Sequence, residues 1–231
     1  MKVKICGLTN LEDAQTAVSA GADYLGFIFY PASKRAIEPD AARRIVAELR
    51  AAPRCPLLVG VFVNETAQKM AEILDDCRLD FAQLSGEEVP ALIGEKSSPL
   101  YGRAYKALRP ASLAEAEADA EWYLPPDYEA QFKERRGETL PPGLLIDTYH
   151  PTLRGGTGET GDWGATAVLA RKVPGLRLAG GLTVNNVAQA ARFVQPFAVD
   201  VASGVEAEPG RKDPALVREF IRLAKEHPAH A

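Results

Sequence analysis

The chain has 231 residues, of which 46% are hydrophobic, and its formal net charge is −4 with acidic and basic residues mixed along its length. This size and composition fit one large domain or two small ones with a substantial core. The mixed charge argues against nucleic acid or a membrane surface as a partner, and no run of about 20 apolar residues is present to span a bilayer. The chain opens directly on a strand-like segment, so we expect a cytoplasmic protein.

Cysteine and histidine do not form a metal-binding pattern in this sequence. Cys6, Cys55 and Cys77 are odd in number and irregularly spaced, and no Cys-x-x-Cys pair is present. His227 and His230 lie in a polar tail that we expect to be flexible from about residue 226. We therefore predict no metal site.

Eight apolar runs of strand length recur along the chain, and several are continuously apolar, as is typical of parallel strands covered on both faces. The predicted strands are Val3–Cys6, Tyr24–Phe29, Leu57–Val63, Phe81–Leu84, Tyr105–Leu108, Gly143–Asp147, Leu176–Gly180 and Ala198–Ala202. Segments of helical period lie between them. Thr9–Glu12 has the spacing of a capping box before the first helix, and Asp213 caps the last.

This alternation predicts an α/β protein, a single (β/α)8 TIM barrel over residues 1–231. An open doubly wound sheet is the rival, but it usually needs fewer strands, and no G-x-G-x-x-G pattern follows the first strand. The segment at about 122–142 exceeds what one βα unit needs. We interpret it as an insertion facing away from the catalytic rim, a solvated loop with a short helix, with a partner-binding element as the alternative.

Two residues at strand ends are candidates for acid/base chemistry, because barrel enzymes work at the carboxyl rim of the strands. Cys6 directly precedes a helix start, whose positive dipole end favours a thiolate; a small buried core residue is the alternative. Asp147 follows Leu144–Ile146, where partial desolvation favours a carboxyl group that can donate a proton. A turn residue or helix cap is the alternative for Asp147.

Glycine pairs follow the seventh and eighth predicted strands, at Gly180-Gly181 and Ser203-Gly204. The loops after these strands often bind phosphate in this fold, through backbone N–H groups and a helix N-terminus. Either pair alone could simply end a strand. Together they predict a phosphate site.

A further glycine cluster follows the sixth predicted strand. Gly155, Gly156 and Gly158 lie between Asp147 and Asp162-Trp163. This arrangement predicts a flexible flap over a ligand, with the next helix starting near Trp163.

These motifs resemble the phosphoribosylanthranilate isomerase family of tryptophan biosynthesis, nearly from end to end. The similarity covers Lys4–Gly7, Ser33–Arg35, Val59–Asn64, Gln83-Leu84, Leu144–Asp147, Gly155–Gly158, Asp162-Trp163, Gly180–Leu182, Val199–Val201, Ser203–Glu206 and Pro209–Asp213. It implies an Amadori rearrangement of N-(5-phosphoribosyl)anthranilate to 1-(2-carboxyphenylamino)-1-deoxyribulose 5-phosphate without a cofactor. The implied partner is a small-molecule phosphosugar, and a homodimer is compatible with the resemblance.

The resemblance also implies roles for individual residues. Asp147 would be the general acid that opens the furanose ring, and Cys6 the general base that takes the C2 proton. Arg35 would pair with the anthranilate carboxylate, and Asp200 would contact the substrate. The remaining substrate-binding residues would be Gln83, Gly180, Gly181, Ser203 and Gly204.

Two departures from the family pattern stand near this site. The family commonly has Gln-Leu-His-Gly after strand four, where this chain has Gln83-Leu84-Ser85-Gly86. Ala202 stands where a second serine often precedes the Ser-Gly pair, so we expect slightly weaker phosphate affinity.

Three alternative functions stay open. The first is another phosphosugar barrel enzyme: a ribulose-phosphate epimerase usually needs histidine and aspartate ligands at strand ends, and indole-glycerol-phosphate synthase relies on lysines and a glutamate there. A dual-specificity isomerase that also serves histidine biosynthesis usually has aspartate in place of Cys6. A barrel that only binds a phosphorylated ligand is the alternative outside enzymes.

Overall fold

The computed structural model describes residues 1–125, 127–134, 143–148 and 163–226. Eight parallel strands close into a barrel in chain order, with β8 paired to β1. They are β1 (Lys2–Ile5), β2 (Tyr24–Ile28), β3 (Leu57–Phe62), β4 (Phe81–Leu84), β5 (Ala104–Leu108), β6 (Leu145–Asp147), β7 (Arg177–Ala179) and β8 (Ala198–Val201). The predicted TIM barrel is confirmed, and every strand ends within two residues of its predicted bounds.

Helices alternate with the strands and cover the outside of the barrel. They are α1 (Leu11–Ala20), α2 (Pro39–Ala51), α3 (Ala67–Asp76), α4 (Ala91–Gly94), α5 (Leu113–Tyr123), α6 (Tyr128–Glu134), α7 (Trp163–Lys172), α8 (Val187–Val194) and α9 (Pro214–Lys225). Their apolar faces pack against the strands; α9, for example, buries Val217, Phe220 and Ile221. After β8, the short strands β9 (Glu206–Glu208) and β10 (Arg211–Lys212) form an antiparallel pair.

The helix caps follow the sequence with one correction. Asp213 caps α9 by accepting hydrogen bonds from the amides of Ala215 and Leu216, as predicted. The cap of α1 is Asn10 rather than Thr9, and its Oδ1 accepts from the amide of Asp13. Thr9 differs because its hydroxyl donates to the carbonyl of Gly210 instead, 201 residues away in the chain.

The predicted insertion at about 122–142 contains α6, while residues 126 and 135–142 lie outside the described residues. Tyr128 of α6 is buried, and its hydroxyl donates to the carbonyl of Pro174 at 2.8 Å. The ring of Phe132 meets that of Phe197 edge-on at 5.8 Å between centroids. Pro174 and Phe197 precede β7 and β8, so α6 lies near the amino ends of these strands. The predicted tail, residues 227–231, also lies outside the described range.

The barrel interior has an aromatic lower part, toward the amino ends of the strands, and a polar upper part, toward their carboxyl ends. Arg177 is fully buried in the lower part, with its guanidinium carbon 4.9 Å from the ring centre of Tyr24 and 4.6 Å from that of Tyr105. Toward the carboxyl ends of the strands, the interior side chains become Lys4, Gln83 and Asp200. Across the described ranges, no helix combines the length and apolarity needed to cross a membrane.

Candidate active site at the carboxyl ends of the strands

Cys6 and Asp147 lie on the same rim of the barrel. Cys6 directly follows β1, and its amide donates to the carbonyl of Val201 in β8 at 2.8 Å. Asp147 is the last residue of β6, and only β7 and β8 separate that strand from β1 on the shorter path around the barrel. Successive side chains of a strand alternate between its faces, so Cys6 shares the face of Lys4, and Asp147 shares the face of Leu145. Both faces point to the interior.

Beside Cys6 stands Lys4, a fully buried cation with three polar neighbours. Its Nζ donates to Oδ2 of Asp200 at 2.7 Å, to Oε1 of Gln83 at 2.6 Å and to Sγ of Cys6 at 3.4 Å. Burial alone would lower the pKa of Lys4, but the Asp200 carboxylate more than offsets this and holds the pKa above its ordinary value. Lys4 is therefore an ammonium, and each of its three protons has an acceptor.

The Cys6 thiol responds to the same surroundings. Burial raises its pKa above the ordinary value, while the Lys4 ammonium opposes that shift. Cys6 is 7% exposed, so desolvation outweighs the nearby positive charges in the resting protein. The contribution of the start of α1 to a thiolate stays a prediction.

Cys6 also depends on an empty space in the neighbouring strand. Gly26 of β2 faces it, and a Cβ at that position would lie 2.7 Å from the sulfur and 3.0 Å from Cε of Lys4. Only glycine leaves room for the sulfur at this distance. The position of the Cys6 sulfur thus depends on the lack of a side chain at Gly26.

Arg35 belongs to a second charged cluster above β1. Its Nε and Nη2 donate to the two carboxylate oxygens of Glu206 at 2.8 and 2.7 Å, and Lys212 donates to the same carboxylate at 2.9 Å. Burial would raise the pKa of Glu206, but these two cations lower it below its ordinary value. The guanidinium fork predicted for the anthranilate carboxylate is thus engaged by a carboxylate of the chain itself. The side chain of Arg35 stacks over Gly7, next to Cys6.

Asp147 is partly buried, with its side chain 21% exposed. Nε of Arg109, which follows β5, donates to Oδ2 of Asp147 at 3.1 Å. The carboxyl group is therefore partly open to solvent at the rim and paired with a cation.

The two predicted phosphate loops lie against each other. Gly204 packs directly on the backbone of Leu182, which follows Gly180-Gly181. Gly180 and Gly181 have positive φ, at 94° and 61°, a conformation that other residues rarely adopt. Ser203 and Gly204 begin a short 3-10 helix, Ser203–Val205, directly after β8.

Gln83 has an orientation fixed by three polar neighbours. Its Oε1 accepts from Lys4 and from the hydroxyl of Tyr105 at 2.9 Å, and its Nε2 donates to Oγ of Ser85 at 3.2 Å. Ser85, the residue that departs from the family pattern, therefore serves as an acceptor for Gln83. The predicted flap residues Gly155, Gly156 and Gly158 lie outside the described residues.

Among the described charged residues of this rim, those that sequence reasoning missed include Lys4, Arg109, Glu206 and Lys212. Lys4 could have been found from strand alternation, because it lies two residues before Cys6 on the same face. No local signal links Glu206 to Arg35, which is 171 residues away in the chain. Among the described residues, no group of three or more His, Cys, Asp or Glu side chains is placed to hold a metal ion.

The fold and the polar rim define a (β/α)8-barrel enzyme. The family model described as N-(5'phosphoribosyl)anthranilate (PRA) isomerase matches residues 3–223. The chain therefore belongs to the N-(5'-phosphoribosyl)anthranilate isomerase family.

Individual relatives agree with this assignment. The N-(5'-phosphoribosyl)anthranilate isomerase of Trichlorobacter lovleyi is 43% identical over 226 residues, which cover 98% of each chain. A crystal structure of monomers made from the dimeric Thermotoga maritima enzyme superposes with a TM-score of 0.77 at 38% identity, covering 98% of this chain and 99% of that one. A second structure, a phosphoribosyl anthranilate isomerase in complex with reduced 1-(o-carboxyphenylamino)-1-deoxyribulose 5-phosphate, gives a TM-score of 0.74 at 36% identity, with the same coverage.

Proposed function

We propose that this chain converts N-(5-phosphoribosyl)anthranilate to 1-(2-carboxyphenylamino)-1-deoxyribulose 5-phosphate, with Asp147 as general acid and Cys6 as general base. The observation that carries the proposal is the position of these two residues. A carboxyl group and a thiol, 141 positions apart in the chain, stand on one rim of a barrel whose family performs this isomerisation.

The reaction is a redistribution of protons within one molecule. Asp147 donates a proton to the furanose ring oxygen, the C1–O bond breaks, and the anthranilate nitrogen forms an iminium with C1. Cys6 as thiolate removes the proton from C2, which gives an enolamine. Protonation of C1 and loss of the proton from the C2 hydroxyl then yield the aminoketose, with no net gain or loss of protons. Because nothing is oxidised or reduced overall, side chains that give and accept protons are sufficient.

The ends of the substrate have complementary partners on the rim. The phosphate is assigned to the amides of Gly181, Ser203 and Gly204, since amide groups in glycine loops favour an anion. The anthranilate carboxylate is assigned to Arg35, through the N–H groups that Glu206 does not engage. The sugar is assigned to Asp200 and Gln83, which both meet Lys4 in the polar part of the barrel interior.

The acid/base assignment is tested by a fluorescence assay that follows loss of N-(5-phosphoribosyl)anthranilate. We expect Cys6→Ala and Asp147→Asn each to lower kcat by roughly 10²–10⁴-fold, the usual contribution of a positioned acid or base. Cys77→Ala removes another buried thiol, away from the rim, and Asp76→Asn removes an exposed carboxylate of α3. Both controls should keep normal turnover. Near-normal turnover in Cys6→Ala or Asp147→Asn would reassign the corresponding role.

Arg35→Ala separates binding from chemistry. Loss of charge-assisted hydrogen bonds, worth about 1.5–3 kcal/mol, predicts a KM increase of roughly 10–100-fold with a smaller change in kcat. Arg43→Ala, on the exposed face of α2, is the control. An unchanged KM in Arg35→Ala would place the anthranilate carboxylate elsewhere.

A homodimer is the assembly that we propose, since the similar Thermotoga maritima protein is described as dimeric. Two exposed aromatic side chains, Trp122 and Phe193, are available on the outer helices of this chain. Light scattering at assay concentrations should give twice the chain mass, and the mass of one chain would contradict the proposal. A cytoplasmic location stays a prediction.

A further inference from the structure

We propose that Lys4 is a positioning residue for the general base: its ammonium holds the Cys6 sulfur and stabilises the thiolate, while Asp200 limits that effect. Only the predicted effect of Lys4 on turnover rests on the function proposed above. The ionisation of Cys6 in the free protein tests it independently.

The geometry leaves the Lys4 ammonium one orientation. An ammonium has three protons, and here the acceptors are Asp200 at 2.7 Å, Gln83 at 2.6 Å and the Cys6 sulfur at 3.4 Å. Two short hydrogen bonds anchor the head group, so the third N–H remains directed at the sulfur. The fully buried side chain cannot turn to solvent.

Lys4 is unsuited to be the base itself. Contact with Asp200 keeps it protonated, and a base must be able to accept a proton. Its positive charge instead favours the charged form of its neighbour, which is the thiolate of Cys6.

Charged and titratable groups from several elements act on the sulfur. Lys4 (β1), Arg35 (the loop after β2) and Lys212 (β10) are cations; Asp200 (β8) and Glu206 (β9) are anions; Tyr105 (β5) is neutral. Arg35 and Lys212 are both paired with Glu206, which offsets much of their charge. Among the described residues, Lys4 alone donates a hydrogen bond to the sulfur. This contact makes Lys4 the cation whose removal should matter most.

Asp200 gives the proposal an opposite-sign test. Its Oδ2 accepts from Lys4, and its buried Oδ1 has no hydrogen-bond partner within the described ranges. Asp200 thus opposes the thiolate with a negative charge. Removing Lys4 and removing Asp200 should therefore shift Cys6 ionisation in opposite directions, whereas simple loosening of the site would shift both alike.

The experiment titrates the ultraviolet thiolate absorbance of each variant against its Cys6→Ala counterpart, which isolates the Cys6 signal without a reagent. Lys4→Met should move the midpoint to higher pH by about one pH unit or more, and Asp200→Asn should move it to lower pH. Midpoints that do not move, or that move the same way, overturn the proposal.

A double variant keeps the test valid if Lys4→Met fails to fold around an unpaired Asp200. Lys4→Met/Asp200→Asn removes both charges, and its midpoint should lie above that of Asp200→Asn alone. Equal midpoints would overturn the proposal. The matched control is Lys106→Met/Glu88→Gln, which removes another buried lysine–carboxylate pair, 2.7 Å apart, and should leave the Cys6 midpoint unchanged.

Turnover then separates this inference from the proposed function. In Lys4→Met/Asp200→Asn, the rising limb of kcat/KM against pH should follow the new thiol midpoint, because only the thiolate accepts the C2 proton. Lower turnover without a moved midpoint would make Lys4 merely structural. If the wild-type protein fails to convert N-(5-phosphoribosyl)anthranilate, the proposed function fails, while the titration result stands.

Discussion

Two buried cations lie inside this barrel, and their surroundings are opposite. Lys4 near the rim gives all three of its protons to polar acceptors, one of them a carboxylate. Arg177 in the lower part lies between two tyrosine rings, and its Nε and Nη1 have no hydrogen-bond partner in the described part of the chain.

The contrast separates a charge that is tied to neighbours from one that is packed among rings. An ion pair in a buried site is costly to break, since removing one partner leaves the other unpaired. A guanidinium between aromatic rings gains about 0.5–2 kcal/mol per ring and loses hydration in return. Removing the charge of Lys4 should therefore destabilise the fold strongly, whereas Arg177 should be replaceable by an apolar side chain.

The largest expected effect on stability is that of Lys4→Met. It leaves Asp200 as an unpaired buried carboxylate, so the free energy of unfolding should fall by about 3–5 kcal/mol at neutral pH. Urea denaturation measures this loss. Asp200→Asn in the same background should recover part of it; no recovery would mean that lost packing, not lost charge, causes the effect.

Glu206→Gln should cost less, about 1.5–3 kcal/mol, the range for hydrogen bonds to a charged group. The native pKa of Glu206 lies below its ordinary value of 4.5, so its ionised form stabilises the fold fully above that pH. This contribution is lost as the pH falls through the lowered native pKa. The difference in unfolding free energy between wild type and Glu206→Gln should therefore shrink in acid, and a constant difference would contradict the assignment.

Tyr105→Phe probes the residue that touches both regions. Its ring contacts Arg177, while its hydroxyl donates to Gln83. The substitution keeps the ring and removes the hydroxyl, so we expect a loss of about 1 kcal/mol in denaturation experiments. A much larger loss would show that the two regions depend on each other through this hydrogen bond.

Arg177→Met should have the smallest effect, within about 1 kcal/mol of the wild type, because relieved desolvation offsets the lost ring contacts. Turnover should also persist, since Arg177 lies below the polar layer. A loss as large as that of Lys4→Met would remove the distinction between the two cations.

The barrel could be predicted from sequence because each strand is a local apolar run, and the order of strands fixes which residues reach the rim. Cys6 and Asp147 end such runs, so their common rim follows directly. The partners of Lys4 could not be predicted, since Gln83 and Asp200 are 79 and 196 residues away and become neighbours only on closure of the sheet. The ionisation of Cys6 depends on that closure as well, because Asp200 reaches the thiol from β8.

Gly26 shows that the reactivity of a barrel strand can be controlled from the strand beside it. A single methyl group there, as in Gly26→Ala, would occupy the volume of the Cys6 sulfur and push it from the lysine that faces it. A substitution in β2 can therefore lower the reactivity of Cys6 without altering any group that exchanges protons. An attempt to change the position of the sulfur by design would begin at Gly26.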